Sequence, residues 1–319
     1  MRKNKALFLP YRIIKNTPRY FVCETLRNKN KKLIPTGTCE EKESSAECSL
    51  RELREELGIR GFSNFFPLNL EQEFKSERGL FYEKAFAFEV KEEIKIQKTE
   101  LKSFELMLEK KAIEELSYNF HKQAIKSCHN ILTKKTYPKI FILVGPSGSG
   151  KDTMIEGALD KNPKIKRIKT IMTRPYKSKD DKKSRISLSL GQLKELEKSG
   201  DIIEKNKISN YWFASSYKEL MAILSQGSNG IINVDINGAQ YFKKNFSNII
   251  TIFINVSLKD LKKRIRKRGR DDKDYIKERL RIAKEEIVKS GICDYTITNK
   301  DGEIKKSIDR LLQIIEENK

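Results

Sequence analysis

The stretch "IFILVGPSGSGKDTMIEGALDK", Ile140 to Lys161, leaves a chain little conformational choice. A short, wholly apolar run is a strand of the kind that parallel sheets bury on both faces. The glycine-rich turn after it leads directly into a helical segment, and strand, tight turn and helix in that order open an α/β domain with a parallel sheet. The later runs "GIINVDING" and "IITIFINV" are strands of the same type, with helical segments between and after them. A chain of 319 residues exceeds what one such core usually fills, so a second domain is expected.

That second domain lies ahead of the first in the chain. Before residue 100, apolar runs ("RYFVCETL", "LFYEKAFAFEV") surround one helical segment, Ser45 to Leu57, with Gly58 in the place of a helix C-terminal glycine. Phe104 to Leu132 has helical apolar spacing and closes an α+β domain. The reading is therefore residues 1–132 as one domain, 133–138 ("TKKTYP") as linker, and 139–319 as the α/β domain.

Net charge is +22, with 27 basic against 20 acidic residues before Pro138 and 39 against 24 from there on. Such a balance favours polyanions, nucleotides first. Nucleic acid is compatible with the charge, but no nucleic-acid-binding pattern promotes it, and a lysine-rich composition raises charge without any dedicated patch. The five cysteines are scattered without CxxC spacing, which fits reduced thiols better than disulfides or a zinc site. With only His121 and His129, histidine-based metal chemistry is disfavoured. No apolar run approaches membrane-spanning length and the basic start lacks a signal-peptide core, so a soluble, cytoplasmic protein without membrane partners is expected.

On the helix Ser45 to Leu57, Glu52, Glu55 and Glu56 fall at i, i+3 and i+4, while Leu50, Leu53 and Leu57 take the opposite stripe. Like charges so placed repel unless something neutralises them, and a hard divalent cation with oxygen ligands is the natural choice. The bland alternative is an acidic surface helix. The stretch "GTCEEKESSAECSLRELREELGI", Gly37 to Ile59, resembles the Nudix box at every fixed position. The resemblance implies an α+β Nudix hydrolase domain in which Glu52, Glu55 and Glu56 hold Mg²⁺ or Mn²⁺, with Glu55 also catalytic. Arg51 would pair with Glu43, Gly37 would let the loop turn, and Gly58 would end the helix. The chemistry would be attack of water on a diphosphate linkage. Thr99 to Ile125 resembles the tail of the subgroup that hydrolyses dihydroneopterin triphosphate and some deoxynucleoside triphosphates, which would give Glu100 an extra acidic role; an ordinary surface glutamate is the alternative.

"GPSGSGKDT" meets the P-loop pattern except at one place. Gly145, Ser147, Gly148, Ser149, Gly150, Lys151, Asp152 and Thr153 would cradle the phosphates of ATP, Lys151 neutralising charge in transit. Asp152 stands where a hydroxyl usually reaches Mg²⁺: either it ligates the metal, with Thr153 in reserve, or it repels the phosphates.

The remainder resembles the guanylate kinase family, implying a P-loop kinase fold whose parallel sheet carries a lid and an acceptor-binding subdomain. Carried over, Arg174 in "MTRP" binds acceptor phosphate, Thr170 touches the base, Glu204 and Asp235 read guanine, and Arg268 and Arg279 are lid arginines. Tyr211 and Trp212 lie in "NYWFA", where the family has "NYYG[ST]"; for Trp212 a place in the core competes with stacking on the acceptor. The second phosphate-binding arginine is at best Lys177, and "KSRISLS" replaces the segment G-x-D-Y-x-F. The expected function is a bifunctional Mg²⁺-dependent enzyme: Nudix hydrolysis of a nucleoside triphosphate type of substrate, and ATP-dependent phosphorylation of a GMP- or dGMP-like monophosphate. The alternatives for the second domain are a ribose 1,5-bisphosphate phosphokinase and a catalytically inactive binding module.

Overall fold

The computed structural model describes residues 2–318 apart from 27–30, 78, 98–100, 177–178, 209 and 268–272. The chain forms two compact units, the first Met1–Tyr137 with Leu224–Gly227 and the second Pro138–Ile223 with Ser228–Lys319.

The first unit runs β1 (Arg2–Ile14), β2 (Thr17–Thr25), β3 (Lys32–Leu33), β4 (Thr36–Thr38), α1 (Ser45–Leu57), β5 (Asn64–Ser76), β6 (Gly79–Glu89), β7 (Leu101–Met107), α2 (Glu109–Glu115) and α3 (Asn119–Lys134). Its sheet has the order β3-β2-β1-β6-β5, with β4 paired to β1 and β7 to β2. The β1–β6 pair is parallel and the other ladders are antiparallel, giving the expected α+β domain. The core gathers Leu7, Leu9 and Tyr11 from β1, Tyr20 and Val22 from β2, Phe66 from β5 and the buried faces of α2 and α3.

The continuous helical reading from Phe104 to Leu132 is corrected. Residues 104–107 belong to β7, which pairs with β2 from Thr25↔Leu101 to Tyr20↔Met107, and two separate helices follow. Phe104 and Leu106 alternate with polar neighbours, and over so few residues a period of two and a helical period are indistinguishable by pattern. At the other end α3 continues to Lys134, and Tyr137 stacks on Phe66 with ring centroids 5.8 Å apart, so apolar packing reaches into the 133–138 stretch read as linker. Both histidines serve the packing. His121 is buried, accepts the Ile34 N–H at 2.9 Å, and is held neutral because burial pushes its pKa down to about 4; His129 sits 3.0 Å from the Tyr20 hydroxyl.

The second unit begins with β8 (Ile140–Val144) and α4 (Lys151–Lys161), then β9 (Ile165–Arg167), β10 (Thr170–Met172), α5 (Lys179–Ser184), β11 (Arg185–Ser187), α6 (Leu190–Lys198), β12 (Ile202–Ile208) and β13 (Tyr211–Ser216). It continues through α7 (Tyr217–Leu224), β14 (Asn229–Asn233), α8 (Ile236–Asn245), β15 (Ile249–Asn255), α9 (Leu258–Lys267), α10 (Lys273–Val288), β16 (Tyr295–Thr298) and α11 (Ile304–Glu317). A parallel sheet of order β16-β15-β8-β14-β9 forms its centre, and every residue of β8 is buried, as a strand covered on both faces must be. A separate sheet, β11-β10-β13-β12, packs with α6 around Ile171, Leu193 and Ala214. The helices α9 and α10 close a small core of their own around Leu261, Ile265 and Ala283. Parallel sheet, small acceptor-side sheet and paired lid helices are the architecture the sequence implied. Among the described residues no helix is long and apolar enough to cross a membrane.

The main core of this unit joins α4 and α11 to one face of the parallel sheet, with Leu311 fully buried at its centre. Leu311→Ala is expected to cost about 2–5 kcal/mol through lost burial and a residual cavity. A urea unfolding curve with an unshifted midpoint for this unit would contradict that packing.

Candidate active sites

In the first unit the helix α1 is fixed at both ends by its own sequence. Ser44 caps it, accepting the Glu47 N–H while Glu47 returns a bond to the Ser44 N–H, a capping box that the motif reading passed over. At the other end Gly58 turns left-handed (φ 66°) and its N–H bonds Arg54 O.

Arg51 is the hub of the site. Its guanidinium donates to both oxygens of Glu43 at 3.0 Å, to Glu52 at 3.0 Å, to Glu55 at 2.9 Å and to the Thr38 carbonyl at 3.1 Å. The expected Arg51–Glu43 pair is present, and the same arginine also answers two of the three clustered glutamates. Glu52 is half-buried, and burial raises its carboxyl pKa, with Arg51 opposing the rise. Glu55 is exposed and Glu56 half-buried.

Gly37 has a different job from the one its motif position suggested. It lies in β4, paired with Ala6 of β1, and its backbone is not left-handed. A Cβ there would sit 2.0 Å from Glu52 Cγ, so glycine is required because the Glu52 side chain crosses its Cα, and not to let the loop turn. Glu52, Glu55 and Glu56 are oxygen donors of the kind a hard divalent cation takes, and Arg51 holds the first two of them. Glu83, another buried acid, pairs in register with Lys5 on the same sheet, and burial raises its pKa; no motif pointed to it. Glu100 lies outside the described residues.

In the second unit the turn after β8 has Gly145, Gly148 and Gly150 at φ 142°, 97° and 98°. At Gly150, which caps α4, a Cβ would also strike Asn299 Nδ2 at 2.5 Å. Ser147 is exposed, Ser149 fully buried, and Lys151 folds back onto the Gly145 and Pro146 carbonyls. Asp152 and Thr153 are exposed at the start of α4. Asp152 bonds Arg167, accepts from Asn233 Nδ2 at 3.1 Å, and has Arg185 3.8 Å away. Two arginines thus offset the charge that sequence alone left either as a metal ligand or as a repulsion.

On the acceptor-side sheet, Glu204 accepts the Ser215 hydroxyl at 2.6 Å, and burial raises its carboxyl to about 7, helped by the Asp235 charge and opposed by the Ser215 bond. Asp235 caps α8 through Gly238 N–H at 2.8 Å and accepts from Asn206 Nδ2 at 2.6 Å. Asn206 and Ser215 were missed, although Asn206 is two residues from Glu204 on one strand and so shares its face. Arg174 is held in a bidentate pair by the buried Asp181, at 2.9 and 3.0 Å, and Arg185 joins the same carboxylate at 2.8 Å. Thr170 is buried at the start of β10, and Tyr211 is exposed. Trp212 is partly buried against the Ile171–Leu193–Ala214 core, with Lys205 5.0 Å over its ring.

Arg268 and Lys177 lie outside the described residues. Arg279 is half-buried on α10. Glu286, on the same helix, has its pKa raised by burial and by Asp235, while Lys151 and Arg279 pull it down. One acid therefore feels Lys151, Arg279 and Asp235 together; no motif flagged it.

A family model described as Guanylate kinase matches residues 137–318, and one described as NUDIX domain matches residues 14–128. A guanylate kinase from Nostoc sp. is 29% identical over 184 residues, 56% of this chain and 92% of that protein. One from Rickettsia prowazekii is 31% identical over 164 residues, 51% of this chain and 83% of its own length. A solved guanylate kinase from Anaplasma phagocytophilum aligns at 22% identity and a TM-score of 0.45, covering 56% of this chain and 85% of that one.

Two outcomes follow from this geometry. Gly37→Ala is expected to destabilise the first unit by about 1–3 kcal/mol, because the new methyl displaces Glu52. Adding Glu52→Ala should recover part of that loss, and strict additivity in thermal unfolding would contradict the contact. Glu204 has a folded pKa raised above its unfolded value, so its contribution to stability is present at about pH 4 and lost as pH rises through about 7. Compared with Glu204→Gln, the ligand-free wild type should lose on the order of 3 kcal/mol between pH 4 and pH 8. Parallel pH profiles of the two urea midpoints would remove Glu204 as the cause.

Proposed function

Since this chain belongs to the guanylate kinase family over residues 137–318 and carries a NUDIX domain over residues 14–128, we propose that it is a bifunctional nucleotide enzyme. Both are families of enzymes. The second unit transfers a phosphoryl group from ATP to a purine nucleoside monophosphate of the GMP or dGMP type. The first hydrolyses a diphosphate linkage in a nucleoside triphosphate or a related phosphorylated compound.

The observation that carries the acceptor assignment is the pairing of two carboxylates, Glu204 and Asp235, on the acceptor side of the P-loop, with Ser215 and Asn206 bonded to them. Guanine offers an exocyclic amine as donor, and an ionised carboxylate is an acceptor-only group that can take it. Binding of such donors favours the charged form of Glu204, so a guanine arriving near pH 6 displaces a proton that burial otherwise retains. Arg174 meets the acceptor phosphate, and Lys151, released from the turn carbonyls, meets the phosphates of ATP. The left-handed glycines leave the N–H groups at the start of α4 turned toward that anion. Asp152 anchors Arg167 and Arg185 beside the cradle. Arg279 closes on the transferring group from the lid.

In the first unit Glu52, Glu55 and Glu56 would hold Mg²⁺ or Mn²⁺, which supplies charge screening at the diphosphate and a more acidic water. The protein's own part is orientation: Arg51 fastens the Glu43 loop to α1, and the bare Cα of Gly37 lets Glu52 lie against that loop.

The test is product analysis with the full chain. It is incubated with ATP and GMP, dGMP, AMP or ribose 1,5-bisphosphate, and separately with nucleoside triphosphates alone. Lys151→Ala should lower phosphoryl transfer by at least about a hundredfold and spare hydrolysis, while Glu55→Gln should do the reverse. Turnover of ribose 1,5-bisphosphate in place of the purine monophosphates would replace the acceptor assignment. Transfer that survives in Lys151→Ala would defeat the kinase reading.

A further inference from the structure

Two of the five cysteines, nine positions apart in the chain, are brought together by the loop that carries Glu43. Cys39 follows β4 directly and is tied to β1 by its N–H on the Asn4 carbonyl at 2.9 Å. The chain then reverses through Lys42, whose φ is 67°, with Glu43 N–H on the Glu40 carbonyl at 3.2 Å and Glu40 N–H on the Glu43 carboxylate at 2.9 Å. This reversal delivers Cys48, in the first turn of α1, to the same spot. The two sulfurs and a Glu43 carboxylate oxygen lie within 4.8 Å of one another.

Three ligand-type atoms at such spacing could in principle serve a thiophilic metal, but a cation already occupies the cluster. Arg51 donates to both Glu43 oxygens, and its Nη2 lies 3.8 Å from Cys48 Sγ. A metal would have to break the pair that fastens the loop, whereas a bond between the two sulfurs leaves that pair intact. The resident guanidinium pulls both thiols toward thiolate, the form that reacts with disulfides, against burial and the Glu43 charge.

We propose that Cys39 and Cys48 form a redox-sensitive dithiol, a modification site that closes to a disulfide when it meets a small-molecule disulfide oxidant. Cys39 is half-buried and Cys48 fully buried, so the first encounter is at Cys39. The hydrogen bond from the Cys48 thiol makes Cys39 the more acidic of the pair and Cys48 the less acidic one. With oxidised glutathione, the Cys39 thiolate attacks one sulfur, the glutathione S–S bond breaks, and one glutathione thiolate leaves. Cys48 then loses its proton to solvent, its sulfur attacks Cys39 Sγ, and the second glutathione is expelled. The two protein thiols supply the two electrons that reduce one oxidised glutathione to two reduced molecules. The product clasps the Glu43 loop covalently to the first turn of α1.

The experiment uses the full chain treated with oxidised glutathione, capped with N-ethylmaleimide under denaturing conditions, and digested with trypsin without reductant. Cleavage after Lys32, Lys42 and Arg51 puts Cys39 in the peptide Leu33–Lys42 and Cys48 in Glu43–Arg51. These two should appear as one linked species, lighter than their sum by two hydrogen atoms and separated by a reductant, with a loss of two maleimide-reactive thiols. Cys48→Ser should instead accumulate a glutathione adduct on Cys39. Recovery of both peptides as maleimide adducts from the treated wild type overturns the proposal, as does a lasting glutathione adduct on its Cys39. Protection of both sulfurs by Zn²⁺ alone, with no linked peptide after oxidation, would identify a metal site in its place.

Discussion

Three acidic side chains and a thiol crowd one stretch of loop and helix, and the guanidinium of Arg51 is what lets them stay there. It bonds Glu43 in bidentate fashion and reaches Glu52 and Glu55 with its remaining donors. A planar fork with five donors can serve three carboxylates at once, which a lysine ammonium cannot match in direction. The loop register, the direction of Glu52 across Gly37 and the approach of Cys39 to Cys48 all follow from that one group, so its removal would release mutually repelling charges and not merely one contact.

The second unit solves a similar problem by the same means. Asp152 at the mouth of a phosphate cradle would oppose any anion, yet Arg167, buried and bonded to both Asp152 and Glu156, converts it from a free charge into half of an ion pair. Arg185 sits between Asp152 and Asp181 and ties the cradle to the acceptor-side sheet. The departure from the P-loop pattern is thus accompanied by a local counter-charge.

How much of this was legible follows from the range of each interaction. The span of α1 was readable because the periodicity, the acidic face and the terminal glycine are all local. The strand, glycine turn and helix from Ile140 were readable for the same reason, since a buried parallel strand and left-handed turn positions leave compositional marks. Asp152–Arg167 was not readable: the partners are fifteen positions apart and joined only by the packing of β9 beside β14. The Cys39–Cys48 approach was equally hidden, because nine residues matches no metal or redox spacing until the reversal at Lys42 folds it. Gly37 was assigned its place correctly and its reason wrongly, since a motif records that glycine is required without saying whether a turn or a neighbour requires it. Residues 104–107 failed for a simpler reason: four residues are too few for a period to declare itself, and they were read on from the helical spacing that follows.

The acceptor side carries a consequence of its own. Arg174 is not an idle cation waiting for phosphate, because Asp181 holds it through both oxygens and shares Arg185 as well. A planar carboxylate in a bidentate pair occupies the same donors that a phosphate would use. In the proposed function an anionic acceptor exchanges one charge-assisted pair for another, so the net gain at Arg174 is the difference between the two and not the whole of the new pair. Asp181 is buried and also bonded by Arg185, so in the proposed function the acceptor's higher charge must cover the cost of displacing it. A doubly charged phosphate monoester can do so where a singly charged anion of similar shape gains little. On the proposed function, selectivity for a monophosphate would arise from what the arginine already holds as much as from what it receives.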